Sequence, residues 1–351
     1  MRRSLWISLP LLCALPLAAS ALPQRTFVAS NGVDTNPCSL AAPCRSLGTA
    51  VTAVSVGGEV IVLDSAAYGA VTVAKSVSIV APTGIYAGIS VFGSAGVTVD
   101  GPGIVVVLRG LTINNQGGGD GIEFLQGASL HVENCIMSGF STGAGLNVQA
   151  GGSVTHVLDT IVRNNHIGIV FGAGLAGNLS RTRVENNSSE GIELLGNTVV
   201  SIEDSVVSGS TYNIDLFPLT LSDHPAVTIA RTLVSGGSYG ILAEPNATLS
   251  SASVTVMDST ISGASVYGIA AMLTTGFGTV LAIRNQLQNN ATAFMADGAN
   301  AKLILDGNAL AGNGTGVNKL NGGVIRTRDN NTANANGADT VNGPFTSLGG
   351  I

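Results

Sequence analysis

Glu193 and Asp215 are the residues in this sequence best placed to do chemistry. Each directly follows an isoleucine, in "EGIEL" and "YNIDL", and they lie 22 residues apart. If the chain brings those two segments side by side, the carboxyls become neighbours. Such a pair can hydrolyse a glycosidic bond, the charge of one acid raising the pKa of the other. It can ligate calcium through clustered oxygens, or it can be two solvated acids. Glu190 and Tyr212 stand three residues before the pair. Tyr212, Tyr239 and Tyr267 each precede an isoleucine by two residues, and they are three of only five tyrosines. A column of such rings can offer an aromatic platform to sugar faces or stiffen a turn.

What must position these residues is a repeat. A Gly-aliphatic pair or its equivalent recurs at Gly121, Gly145, Gly168, Gly191, Asn213, Gly240, Gly268, Ala293 and Gly316, at intervals of 22 to 28 residues. A second column holds Asn134, Asp159, Asp204, Asp258, Asn285 and Asp306, with Arg181 and Arg231 as exceptions. Asn and Asp tolerate the left-handed conformation that a sharp turn between two strands needs. An aliphatic residue lies two positions before each, as expected of an inward ladder. The next position is small: Cys135, Thr160, Thr182, Ser205, Thr232, Ser259. Cys135 is therefore expected as a buried thiol in a Ser/Thr slot.

Each repeat gives a strand at "GI", a second strand such as "SIE", an Asn/Asp turn, a short third strand and a Gly/Asn-rich return. The pattern resembles the repeat of right-handed parallel β-helix proteins of the pectin lyase-like superfamily. The opening "TFVASNGVDTNPCSLAAPCRSLGTAV" is similar to the capping segment of bacterial secreted members. Independently of the resemblance, Leu47, Ala50, Val51 and Val54 make one apolar helical face, with Pro43 in the first turn. An open solenoid end needs such a cover. The expected fold is all-β: a single right-handed parallel β-helix of about 9–11 coils and three parallel sheets, with a short N-terminal amphipathic capping helix. The expected divisions are 1–21, a signal peptide; 22–104, cap and first coils; 105–317, regular repeats; and 318–351, last strand and C-terminal cap. Within the last, a strand is expected at 323–327, then a loop, then a closing segment at 345–351.

Composition narrows the function. The leader has Arg2 and Arg3, an apolar stretch and Ala19-Ser20-Ala21 as a cleavage site, so a secreted or periplasmic protein cut after Ala21 is expected. No later run spans a bilayer. The net charge of −6 loses two arginines with the leader, giving −8. No basic block exists to neutralise phosphates, which argues against nucleic acid as a partner. Cys38 and Cys44 flank "SLAAP" and read as a small disulfide loop in an oxidising compartment.

The outward column of the first sheet reads Glu123, Asn147, Val170, Glu193, Asp215, Leu242, Ala270, Met295. Resemblance to pectate lyases would imply a basic residue there, and the column has none. Nor does the chain carry the Asn-x-Asp, Asp-Asp, Gly-His-Gly and Arg-x-Lys set that resemblance to polygalacturonases would imply. "SDHP" at 222–225 has the wrong order for the Asp-Pro-His motif of mannuronan epimerases and reads as a surface loop. His131 and His156 should stack on the second sheet without a third ligand. The function expected is contact with polysaccharide by a monomer, without catalysis. In that reading Tyr212, Tyr239, Tyr267 and Glu190 bind substrate, and no cofactor is needed beyond possible calcium. One rival is a glycoside hydrolase or lyase with Glu193 and Asp215 as catalytic residues; another is a structural or adhesive surface protein.

Overall fold

The structure, a computed structural model, describes residues 22–348 apart from 173, 219, 246–247 and 273–274. The expected leader, 1–21, lies outside the described residues. The chain winds as a parallel β-solenoid in which three strands make one coil. The first sheet, carrying the Gly-Ile pairs, has 12 strands; the second has 14 and the third 12. Glu190–Leu194 is followed by Val199–Glu203 and Val206–Ser208, and these pair in parallel with Tyr212–Leu216, Ala226–Ala230 and Leu233–Ser235 of the next coil. Backbone groups are thus satisfied between coils at ~4.8 Å spacing.

Stacking places like residues over like. Ile192, Ile214, Ile241, Ile269 and Phe294 pair in register and are buried along the axis. Between the second and third sheets the chain turns through one left-handed residue per coil. Asn134, Asp159, Arg181, Asp204, Arg231, Asp258 and Arg284 hold φ of 48–52°. The arginines fit because each reaches back to the acid one coil earlier: Arg181 to Asp159, Arg231 to Asp204 and Arg284 to Asp258. The expected column is one residue off in the last coils. Arg284 and Gly307, not Asn285 and Asp306, occupy the left-handed corner. Asn285 and Asn308 instead fill the buried Ser/Thr slot, where their amides form a ladder. The aliphatics that point inward there are Ala282 and Leu305 rather than Ile283 and Ile304, since a one-residue slip exchanges the faces of a strand.

The N-terminal end is closed by the helix Leu47–Ala53, whose N-cap Ser46 accepts a hydrogen bond from the Thr49 amide. Leu47, Ala50, Val51 and Val54 are buried as expected. Pro43 lies before the N-cap rather than in the first turn; its carbonyl accepts from Val33 and from the Asn36 side chain. Cys38 and Cys44 are bonded, pinning this loop. At the other end, Val324–Thr327 forms the expected strand, but the stretch read as a loop adds Thr332–Asn334 and Ala338–Val341 to the third and first sheets. These strands are polar because a terminal coil has core on one side only. They carry the solenoid to 12 turns.

Candidate functional site

On the first sheet two residues inside each coil, such as Asn213 and Ile214, are flanked by residues outside it, here Tyr212 and Asp215. The register pairs Glu190 with Tyr212 and Glu193 with Asp215, then Tyr212 with Tyr239 and Asp215 with Leu242. Tyr239 pairs with Tyr267. The acids and rings singled out in the sequence therefore lie together on one face.

That face is not uniformly open. Glu123, Asn147, Val170 and Glu193 are half-buried. From the next coil onward the column is covered: Asp215 is 5% exposed, Leu242 1%, Ala270 1% and Met295 2%. Leu242, Ala270 and Met295 form a second apolar cluster outside the solenoid, with Tyr212, Tyr239, Tyr267 and Met272 packed against it. The signal for it was present in three successive apolar residues at outward positions, beside the longest repeat intervals. Tyr212 and Tyr239 stack with centroids 4.9 Å apart and planes 4° apart, while Tyr267 tilts 60° from Tyr239 at 5.8 Å. The stacked pair occupy each other's faces, so ring edges and hydroxyls are what Tyr239 offers outward.

Burial first, and the Glu190 charge second, push the Glu193 carboxyl up to about 7. Burial also raises Asp215 well above the ordinary carboxylate range, helped by the charges of Glu244, Glu193 and Glu190. Its Oδ1 is buried without a hydrogen-bond partner. Glu190 accepts from Ser189 Oγ at 2.9 Å. Glu244, absent from the sequence-based candidates, follows the strand Tyr239–Ala243, and its amide donates to the Leu216 carbonyl. Burial raises its pKa also. It was missed because its distance from Asp215 is a property of the loop, not of the strand period. The eight ion pairs found among the described residues all lie elsewhere. The face thus combines carboxyls whose pKa values burial raises with phenol hydroxyls, groups that can exchange hydrogen bonds with sugar hydroxyls.

Other candidates are absorbed by structure. Asp120 holds the next coil, accepting from the Ala144 amide and Asn147 Nδ2. Asp223 accepts from the Thr220 amide within its own loop, and His224 meets Ser251 Oγ of the next coil, so "SDHP" serves to hold the loop in place. His131 and His156 stack at 4.6 Å, and Asn178 Nδ2 donates to His156 Nδ1. Among the described residues no three His, Cys, Asp or Glu side chains converge to hold a metal ion. Cys135 is a free, buried thiol that donates to the Leu108 and Glu133 carbonyls.

Comparison with known proteins agrees with this architecture. No curated protein matches the chain. The crystal structure of pectate lyase Pel9A superposes with a TM-score of 0.55 at 16% identity, covering 92% of this chain and 81% of that one. The A-module of the Azotobacter vinelandii mannuronan C-5 epimerase AlgE4 superposes with a TM-score of 0.61 at 13% identity, covering 84% and 91%. At such identities the likeness concerns the fold. A family model described as "Right handed beta helix region" matches residues 87–278, and on that match and the stacked coils the chain belongs to the right-handed β-helix family.

Proposed function

We propose that this protein is exported, matures after Ala21, and contacts polysaccharide as a monomer through the outer face of the first sheet, without cleaving it. The observation that carries this reading is the shared face of Glu190, Glu193, Tyr212, Tyr239 and Tyr267, set in register over consecutive coils. The Cys38–Cys44 disulfide fits an oxidising compartment. No helix among the described residues is long and apolar enough to cross a membrane. The outward column from Glu123 to Met295 holds no Lys or Arg to take a proton beside a uronate carboxyl, which favours contact over a lyase reaction.

The hydrolase reading has one observation in its favour: the Glu193 carboxyl, raised to about 7, can hold a proton for a leaving group. Calcium would have to draw most of its oxygen ligands from the glycan, since no three side chains converge to hold an ion among the described residues. A reducing-end assay over soluble glycans, with and without calcium, separates the readings. Glycan retention without new reducing ends is the expected result. Cleavage that disappears in Glu193→Gln with Asp215→Asn would make this an enzyme. Retention unchanged by Tyr239→Ala with Tyr267→Ala would remove the tyrosines from the contact.

A further inference from the structure

The charge on the first sheet is one-sided. Its 12 strands carry eight acidic residues and a single basic one, Lys319. Lys319 lies at the far end, with Nζ donating to the Pro344 carbonyl. The arginines belong to other parts of the coil, several of them to the corner between the second and third sheets, where Arg181, Arg231 and Arg284 are paired with acids. An acidic cluster alone says nothing about a ligand. Asp215 adds a second observation: a carboxyl 5% exposed, with Oδ1 unpartnered, in register with half-buried Glu193. A buried acceptor without a donor is costly, and a donor supplied by a ligand would relieve it.

We infer that this face takes a neutral, hydroxyl-rich glycan and rejects polyuronates; the inference rests on the polysaccharide-contact reading above. A uronate chain brings a carboxylate with every sugar and would meet Glu190, Glu193 and Glu244 without a cation to bridge them. Like charges in a partly dry site repel strongly. A neutral sugar brings only hydroxyls, each able to donate to Glu190 or Glu193 and to accept from a phenol. One hydroxyl reaching past Glu193 would supply the donor that Asp215 Oδ1 lacks. The specificity thus inferred is opposite in charge preference to the pectate and mannuronan in the names of the two structural neighbours.

Affinity electrophoresis of the mature chain in chelator tests this, using soluble galactan, β-glucan and xylan against polygalacturonate and alginate. Retardation by at least one neutral polymer is expected, at least ~10-fold tighter than by either acidic one, a gap of about 1.4 kcal/mol. Glu190→Lys with Glu193→Lys should narrow that gap, and circular dichroism of the variant verifies that it is folded. Should an acidic polymer bind as tightly as every neutral one, the inference fails while polysaccharide contact stands. Should no polymer bind, both fail.

Discussion

Glu193 couples the proposed site to the stability of the solenoid, and Glu193→Gln exposes the coupling. In the folded chain burial and the Glu190 charge hold its proton up to about 7, against an ordinary value of 4.5. Between those values the folded state binds the proton and the unfolded state does not, so stability falls as pH rises through that window. Below about 4.5 the contribution is complete; above about 7 the loss is complete and the curve flattens. At about 1.4 kcal/mol per pH unit, the span sets a ceiling of about 3 kcal/mol. Glu193 is only half-buried, and solvent screening reduces this to roughly 1–2 kcal/mol. Glutamine keeps the shape and cannot ionise. The variant should match wild type at about pH 4.5 and exceed it by roughly 1–2 kcal/mol at about pH 9. Urea unfolding followed by circular dichroism is the assay, because the only tryptophan, Trp6, belongs to the expected leader. Parallel pH dependences for the two proteins would refute the argument, as would a variant weaker than wild type at high pH.

Three further perturbations probe the frame that holds the site. Asn308→Ala strips partners from the Asn285 amide and side chain, from the Ala282 carbonyl and from Asn331 Oδ1. Asn285 Nδ2 keeps the Val256 carbonyl and Asn331 Oδ1 keeps the Asn308 amide, so the main loss is the partner of the buried Asn285 amide, about 1–3 kcal/mol in urea unfolding. The Cys135 thiol, pushed up to about 11 by burial, should stay unreactive towards thiol reagents until the chain unfolds, and Cys135→Ser should fold normally. Removing the Cys38–Cys44 bond, which spans 6 residues, should cost about 2 kcal/mol by the loop-entropy relation. That loss should be read first as faster hydrogen exchange in the cap helix Leu47–Ala53.

The coil period was legible because stacking forces equivalent residues into equivalent environments, so Ile192, Ile214, Ile241 and Ile269 repeat as a ladder does. The same period put Glu193 beside Asp215 and Tyr212 beside Tyr239, pairings that follow from strand register alone. Period reading failed where the chemistry of a column changed. Asn285 and Asn308 look like turn residues but serve as buried amide ladders, and the polar strands after 328 lack the aliphatics that mark a core. The sequence by itself therefore determined the solenoid, the cap helix, the disulfide and the neighbours across each sheet. Only the tertiary structure decided which outward residues meet water. Leu242, Ala270 and Met295 are covered because Tyr212, Tyr239, Tyr267 and Met272 pack against them, and Glu244 comes near enough for its charge to act on Asp215. How side chains on neighbouring strands lean over the sheet is decided by packing, and no local period encodes it.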